Sequence, residues 1–196
     1  MLVLPYDIGM SKILRTPLAS RQAPVRYCYA ETPLGSVLLS ARNGALLGLH
    51  FTGHPLSPAP LDCWILDEAP FELVRSQLEE YFAGVRSDFD PELAPIGSPF
   101  ESQVWNPLIG IPYGATLSYS EVALQIGRPK AARAVGAAIG RNPIAILVPC
   151  HRVIGANHEL TGYAWGLARK AWLLDHEASH LVHNRQGQQQ IEARQR

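Results

Sequence analysis

Apolar and polar positions along the chain predict a strand-rich first unit. Residues 36–41 and 45–51 are apolar runs of strand length, joined at Asn43-Gly44, a dipeptide that supplies the positive φ angles of a tight hairpin. Residues 70–82 place apolar side chains at helical spacing, and Gly84 follows as a stop signal. The pattern therefore predicts a β-hairpin followed by an amphipathic helix.

The pattern changes to helices after residue 97. Ser98-Pro99-Phe100-Glu101 and Ser118-Tyr119-Ser120-Glu121 both have the form of a capping box, so each predicts a helix start. The first helix should kink or end at Pro107, because proline cannot donate the next backbone hydrogen bond. The second helix should end near Gly127.

Residues 118–140 predict a helix-turn-helix. A short turn containing Gly127 joins the second capped helix to an alanine-rich helix over residues 130–140. Small side chains make this helix thin, and Arg133 is its one prominent side chain. The small positions are Ala131, Ala132 and Gly136, and the flanking basic ones are Arg128, Lys130 and Arg141. A small-residue helix is often only a tightly packed core helix, but the basic flanks favour an exposed, DNA-binding face.

Residues 144–148 are a run of five apolar residues and predict a short buried strand. Pro149 should end it, since proline cannot continue a strand ladder. Cys150 and His151 come next, so the strand would hold one thiol beside a potential base. Free cysteine is also among the most commonly buried residue types, and on spacing alone burial explains Cys150 slightly better. Arg152 can be read as a phosphate contact or as one half of a core ion pair.

Charge is divided unevenly along the 196 residues, a length sufficient for one large domain or two small ones. Residues 1–95 hold seven Lys/Arg against eleven Asp/Glu, whereas residues 96–181 hold seven against five. No acidic residue lies between Glu121 and Glu159, a segment with five basic residues. An acid-free basic segment is the footprint expected of a nucleic-acid contact.

These patterns predict four segments. Residues 1–24 form a loosely held leader, 25–95 a small acidic α/β domain, 96–181 the domain with the helix-turn-helix, and 182–196 a tail. The tail has no apolar period, so we expect it to be disordered. The last helix should cover residues 167–177 and pack Leu167, Ala171 and Leu174.

Three cysteines at unrelated spacings imply no disulfide framework, which suits a reducing cytosol. No signal peptide or membrane span is evident, so we expect a cytoplasmic protein. Cys28, His50, His54 and Cys63 can be proposed as metal ligands, but their spacing fits no common zinc pattern, so no metal and no cofactor are expected.

A thiol, an adjacent histidine and a distant carboxylate can form a nucleophilic triad. A buried thiol needs a base to take its proton, and a carboxylate can orient that base. Glu177 is the candidate carboxylate and Asp175 the second choice. These residues alone do not distinguish the site from that of a papain-like hydrolase.

Pro149-Cys150-His151-Arg152-Val153 resembles the acceptor motif of the O6-alkylguanine-DNA alkyltransferases, also called methylated-DNA–protein-cysteine methyltransferases. The flanking segments 133–136, 142–143 and 163–177 fit that family in order and spacing. The resemblance covers roughly residues 25–180. The chain resembles the bacterial constitutive type of the family more than the mammalian type. It implies an α/β (α+β) fold. This fold has a small ribonuclease H-like N-terminal domain with an antiparallel sheet, and a winged-helix-like C-terminal domain.

The resemblance also implies the chemistry. Cys150 would accept the alkyl group, mainly methyl, from O6-alkylguanine in one irreversible step on double-stranded DNA, with O4-alkylthymine as a second candidate substrate. His151 would deprotonate it through a water while Glu177 holds His151. The other implied catalytic groups are Asn142, which orders the turn, and Tyr119 and Lys170, which assist the leaving guanine. The chain should act as a monomer.

The implied binding residues follow from the same resemblance. Tyr163 would wall the alkyl pocket, backbone groups of Val153 and Ala164 would read the base edge, and Arg133 would fill the space left by a flipped nucleotide. The small-faced helix would lie in the minor groove. Trp165 and Ala145 depart from the family pattern, and Trp165 should narrow the pocket rim.

Three other classes compete with this interpretation. A damage-binding module that flips bases without accepting the alkyl group has tryptophan in place of the acceptor cysteine, so Cys150 speaks against it. A cysteine hydrolase would release its product, and a winged-helix regulator would need a second DNA-binding motif.

Overall fold

A computed structural model of the chain describes the backbone of residues 23–194 and the side chains of residues 23–181. The predicted leader lies outside these residues except for positions 23 and 24. Four strands form the N-terminal sheet in the order β3-β2-β1-β4, antiparallel except for the short β4, which runs parallel to β1. They are β1 (Arg26–Ala30), β2 (Val37–Arg42), β3 (Ala45–Phe51) and β4 (Ile65–Leu66).

The predicted hairpin is confirmed. β2 and β3 pair from Arg42 and Ala45 outward, and the turn between them has φ angles of 53° at Asn43 and 81° at Gly44. The predicted helix is α1 (Glu72–Phe82), preceded by a 3-10 turn over Ala69–Phe71. Gly84, with a φ of 74°, lies two residues beyond α1.

The C-terminal domain contains the predicted helices. α2 (Pro99–Ile109) and α3 (Tyr119–Gln125) both begin with the complete capping box, and α4 (Ala132–Gly140) follows a short turn. Pro107 lies in the last turn of α2, which ends two residues later at Ile109, as a proline inside a helix predicts. Two short parallel strands, β5 (Leu117–Ser118) and β6 (Val153–Ile154), join the start of α3 to the segment after Cys150.

The predicted strand over residues 144–148 is wrong, because this segment is a compact buried turn. Ile144 makes only an isolated bridge to Leu49, and Ile146 has a φ of 69°, which a strand does not allow. The Asn142 side chain holds the turn by donating to the Ile144 and Val148 carbonyls and accepting from the Ile144 N–H. These local bonds replace the ladder of a strand, and a 3-10 turn over Cys150–Arg152 continues the chain.

The last helix is longer than predicted. α5 spans Leu167–Arg194, so it neither ends near Glu177 nor leaves residues 182–194 without secondary structure. Its buried face is also different from the predicted one, because Leu167 is 48% exposed while Lys170, Leu173 and Glu177 are fully buried. The buried face of this helix therefore carries three ionisable groups, Lys170, His176 and Glu177.

The two domains share one core. Leu49 of β3 exchanges backbone hydrogen bonds with the turn that precedes Cys150, accepting from Ala145 N–H and donating to Pro143. Arg169 of α5 donates to the Leu34 carbonyl, which lies between β1 and β2. Within residues 23–194, no helix is long and apolar enough to cross a membrane.

Candidate active site

Cys150 begins the 3-10 turn and faces a cavity of about 400 Å³. Its side chain is 5% exposed, and Asn142 Nδ2 donates to its Sγ at 3.1 Å. Burial raises the pKa of the Cys150 thiol, although the hydrogen bond from Asn142 and the charge of Lys170 oppose that rise. At rest the group is therefore a thiol, and it needs a base to become a nucleophile.

His151 is fully buried, and its Nε2 lies 2.8 Å from Glu177 Oε1. Burial lowers the pKa of His151, although Glu177 acts in the opposite direction, so the imidazole is neutral near pH 7. The proton belongs on Nε2, where the carboxylate accepts it, because two acceptors cannot share a bond. Nδ1 thus keeps a lone pair, and this atom is buried with no hydrogen-bond partner among the described residues.

Glu177 is surrounded by donors from several parts of the chain. It accepts from His151, from Gly114 N–H at 2.9 Å, from Tyr81 Oη at 2.7 Å and from Arg152, whose Nε and Nη2 lie 2.9 Å from its two oxygens. Burial alone would raise the pKa of Glu177, but the hydrogen bonds and charges of His151 and Arg152 outweigh it and hold the pKa at about 2. The carboxylate stays ionised and cannot act as the base itself.

Arg152 is part of this core. It is 5% exposed, pairs with Glu177 and also donates to the Ile111 carbonyl at 2.5 Å. A guanidinium in this position cannot reach a phosphate. Of the two interpretations of Arg152, the core ion pair is the one that the structure shows. Asp175, the second choice for the carboxylate of the triad, is exposed on the far side of α5.

Lys170 and Tyr119 form a second polar group, which meets at the Thr161 carbonyl. Lys170 Nζ donates to the Val153 and Thr161 carbonyls at 2.6 Å, and Tyr119 Oη lies 3.0 Å from the same Thr161 carbonyl. Burial lowers the pKa of Lys170 to about 8, with the Cys150 charge opposing it. Burial also raises the pKa of Tyr119, so its hydroxyl is a donor at neutral pH.

The cavity brings together five of the predicted substrate and helix residues, Ala132, Arg133, Gly136, Tyr163 and Ala164. Its lining comprises Tyr119, Ala132, Arg133, Gly136, Ile139, Gly140, Cys150, Thr161, Gly162, Tyr163 and Ala164. A Cβ at Gly136 would make an ordinary van der Waals contact with the Tyr119 ring at 3.5 Å, so α4 lies directly beside this ring. The Tyr163 hydroxyl is buried without a hydrogen-bond partner among the described residues, and burial raises its pKa well above the usual value.

Three predicted substrate residues do not line this cavity. Trp165 is 4% exposed and points away from it, with its ring centroid 5.7 Å from those of His50 and His54, so it does not narrow the rim. Ala145 is fully buried in the turn that pairs with β3, and it forms no pocket wall. Val153 contributes through its backbone only, and its carbonyl already accepts from Lys170.

Sequence reasoning missed several contributors. Thr161 and Gly162 act through carbonyls, and Gly114 acts through its N–H, so their side chains carried no signal. Tyr81 was interpreted only as part of an apolar stripe. It lies 96 positions from Glu177, and no local pattern connects the two.

The predicted DNA-binding residues lie in α4 and in the segments just before and after it. Arg128, Lys130 and Arg133 are exposed, and Ala131 and Ala132 are half-buried at the start of the helix. Arg141 is exposed too, but Glu101 forms an ion pair with it, and this contact lowers the pKa of Glu101 to about 2. Arg141, which the sequence predicted as a DNA contact, is thus paired within the protein. Arg128 lies over the Phe100 ring at 5.3 Å.

The four proposed metal ligands are not gathered. Trp165 lies between His50 and His54, Cys28 is buried, and Cys63 is exposed. Across the part of the chain that the structure describes, no cluster of three or more His, Cys, Asp or Glu side chains is arranged to hold a metal ion.

Comparison with known proteins matches both halves of the chain. Residues 99–179 match the DNA-binding domain of 6-O-methylguanine DNA methyltransferase, and residues 25–95 match the ribonuclease-like domain of the same family. The methylated-DNA–protein-cysteine methyltransferase of Methanosarcina acetivorans is 50% identical over 153 residues, which cover 78% of this chain and 98% of that protein. The Mycobacterium bovis protein of the same name is 46% identical over 155 residues, covering 79% and 93%.

Solved structures agree. The crystal structure of Mycobacterium tuberculosis OGT in complex with DNA superposes with a TM-score of 0.74 at 45% identity, covering 79% of this chain and 94% of that one. The O6-methylguanine-DNA methyltransferase of Pyrococcus kodakaraensis superposes with a TM-score of 0.55 at 23% identity, which supports the fold alone. On this evidence, the chain belongs to the methylated-DNA–protein-cysteine methyltransferase family.

Proposed function

We propose that this protein repairs double-stranded DNA by transferring an alkyl group, mainly methyl, from O6-alkylguanine to Cys150 Sγ. Family membership supports the reaction class. The observation that carries the residue assignment is that Cys150 lines the open cavity, and the adjacent neutral His151 supports it with a buried Nδ1 that has no hydrogen-bond partner among the described residues.

His151 is the base in this proposal. Its Nδ1 takes the Cys150 proton through one water, and Glu177 stabilises the imidazolium that results. Asn142 Nδ2 and the charge of Lys170 stabilise the thiolate. The thiol is thus converted to a nucleophile only when the base and the alkyl carbon are both in place.

The transfer step is a displacement at the alkyl carbon. A bond forms between Cys150 Sγ and this carbon while the bond from the carbon to O6 breaks, and the electron pair of that bond passes to the guanine. Tyr119 donates a hydrogen bond to the ring as this charge develops, and Lys170 supports the same polar edge. Backbone groups of Val153 and Ala164 contact the base edge, and Tyr163 bounds the alkyl group.

The product is a thioether, which water does not cleave at neutral pH. Each molecule therefore reacts once and is consumed. O4-alkylthymine presents a similar alkyl–oxygen bond and is the second substrate that we propose. One chain carries every group named, so the protein can act as a monomer. A free, reactive thiol suits the reducing cytoplasm, where we place the protein.

DNA binds to the face of α4 in this proposal. The small residues Ala132 and Gly136 let the helix approach the minor groove, and the exposed Arg128 and Lys130 contact phosphates. A base inside the stack cannot reach a buried thiol, so the nucleotide must rotate into the cavity. Arg133 stands at the cavity edge, where it can fill the vacated space.

Intact-protein mass spectrometry tests the function directly. Incubation with duplex DNA containing O6-methylguanine should add one methyl mass per molecule, mapped to Cys150, and leave guanine in the DNA. Cys150→Ser is the matched control and should gain no mass. Repaired DNA with an unmodified protein would indicate a hydrolase, and an unmodified protein with unrepaired DNA would contradict the proposal.

A further inference from the structure

Tyr81 reaches from the N-terminal domain into the proposed catalytic site. It is the penultimate residue of α1, it is fully buried, and its Oη donates to Glu177 Oε1 at 2.7 Å. The same oxygen accepts from His151 Nε2 at 2.8 Å. A side chain of one domain therefore shares a carboxylate oxygen with the proposed base of the other domain.

We propose that Tyr81 is a positioning residue through which the N-terminal domain sets the basicity of His151. Tyr81 touches neither the substrate nor Cys150 and acts through Glu177. This inference rests on the proposed function, in which His151 takes the proton of Cys150.

The hydroxyl needs a functional or structural reason, because a phenylalanine would fill the same space. The Tyr81 ring packs against Phe82, Phe89 and Tyr113 with centroid distances of 5.3 to 5.8 Å. A buried hydroxyl without a partner costs free energy, so this one is kept by what it binds. Its partner is the carboxylate that holds the base.

Competition at one oxygen gives the direction of the effect. Glu177 Oε1 divides its negative charge among Tyr81 Oη, His151 Nε2 and the Arg152 guanidinium. Each added donor leaves less of that charge to stabilise a protonated imidazole, so Tyr81 makes His151 a weaker base. Burial and Glu177 both raise the pKa of Tyr81, which keeps the hydroxyl protonated and a donor throughout.

Other ionisable groups also act on the pair of His151 and Glu177. Those with an electrostatic effect on one member of the pair are Tyr113, Arg152 and Lys170. Of these, Tyr113 offers a matched comparison with Tyr81. Its ring centroid lies 5.8 Å from that of Tyr81, but its buried hydroxyl has no hydrogen-bond partner among the described residues.

The experiment compares Tyr81→Phe with Tyr113→Phe. The rate constant of alkyl transfer to Cys150 is measured by quenched-flow on duplex DNA with O6-methylguanine, from about pH 5 to about pH 9, where the base titrates. Tyr81→Phe should move the acidic limb upward by about half a unit to one unit, so that rates on that limb fall about three- to tenfold while the alkaline plateau stays within about twofold. Tyr113→Phe should leave the limb in place.

Three outcomes would overturn the inference. They are an equal shift in both variants, no shift in either, and a Tyr81→Phe loss that is uniform across the pH range, which is what a purely structural role produces. Thermal melting of each variant checks that it is folded. If the wild-type protein itself gains no methyl group, the proposed function fails first, so the two failures are distinguishable.

A second variant keeps the inference testable if Tyr81→Phe does not fold. Tyr81→3-fluorotyrosine preserves the ring packing and makes the hydroxyl a stronger donor. It should move the acidic limb in the opposite direction, to lower pH, because Glu177 then has less charge left for His151. A shift to higher pH, or none, would contradict the role assigned to Tyr81.

Discussion

The closed side of the site, around Glu177, and its open side, at the cavity, are built differently. Glu177 is fully buried and accepts hydrogen bonds from four residues, which come from both domains. At the cavity, Tyr119 donates to the Thr161 carbonyl, and the buried Lys170 donates to the same carbonyl. The closed side is saturated with protein contacts, whereas Tyr119 on the open side is a donor that a ligand can recruit.

This difference fits two demands of the proposed reaction. The base, His151, must keep one orientation, so its partner Glu177 is charged, buried and held by several hydrogen bonds. A leaving group arrives from outside, so the donors that meet it must be able to exchange a protein carbonyl for a guanine atom. Substitutions on the closed side should therefore affect folding and reaction together, whereas those on the open side should affect reaction alone.

Glu177→Gln should have the largest effect. Loss of the charge leaves Arg152 buried without its counter-ion, which should lower the free energy of unfolding by about 3–5 kcal/mol and the rate of alkyl transfer by more than about 100-fold. Urea denaturation and single-turnover kinetics measure the two losses. Asp175→Asn, on the exposed side of the same helix, is the control and should change neither.

The closed side should also determine acid sensitivity. The pKa of Glu177 is lowered on folding from 4.5 to about 2. Its stabilising contribution is therefore complete above pH 4.5 and is lost as the pH falls toward 2, by an amount on the order of 3 kcal/mol. Unfolding free energies measured across this window should fall more steeply for the wild type than for Glu177→Gln. Parallel curves would contradict the closed site.

Arg133→Ala should have the next largest effect and act only on duplex DNA. Without this side chain at the cavity edge, nothing fills the space that the flipped nucleotide leaves in the base stack. Repair of duplex DNA should therefore slow by about 10- to 100-fold. Reaction with free O6-methylguanine should change by less than about twofold, since no flipping is involved. Equal losses on both substrates would contradict the proposed place of Arg133.

Tyr119→Phe should reduce the rate without reducing stability. Loss of the donor to the leaving guanine should slow transfer by about tenfold, while the unfolding free energy changes by less than about 1 kcal/mol. Quenched-flow kinetics and urea denaturation on the same preparation make the comparison. A stability loss as large as that of Glu177→Gln would mean that the hydrogen bond of Tyr119 contributes as much to folding as those of Glu177, which would contradict the difference between the two sides.

Trp165→Phe should have the smallest effect on the reaction. Trp165 packs between His50 and His54 and not at the cavity, so the cost should be about 1–3 kcal/mol of stability, seen by thermal or urea unfolding. The rate with the bulky O6-benzylguanine should stay within about twofold of wild type. A marked gain with this substrate would show that Trp165 does narrow the rim.

Local sequence patterns predicted the parts of the fold that rest on local interactions. The hairpin at Asn43-Gly44 and the two capping boxes are decided within a few residues, so they could be read from the chain. The segment 144–148 could not, because five apolar residues are equally compatible with a buried strand and a buried turn. The Asn142 side chain and the contact with Leu49 decide between them.

The last helix shows the same limit in another form. Its apolar residues pointed to a face with Leu167, but the buried face carries Lys170 and Glu177. Hydrophobic periodicity cannot find a stripe that is buried because its charges have partners elsewhere. Trp165 was likewise placed at the pocket rim by the family resemblance, whereas its ring packs against that of His50 in the other domain.

The sequence was sufficient to predict a cysteine nucleophile with a neighbouring histidine, a basic alanine-rich helix and the family to which the chain belongs, since each is a short pattern with a chemical reason. The folded chain was needed to show which groups surround Glu177, that Arg152 is its buried partner and that Tyr81 reaches it from the other domain. The physical reason is that hydrogen bonds and ion pairs in a core join residues about a hundred positions apart, and no spacing along the chain encodes such a contact.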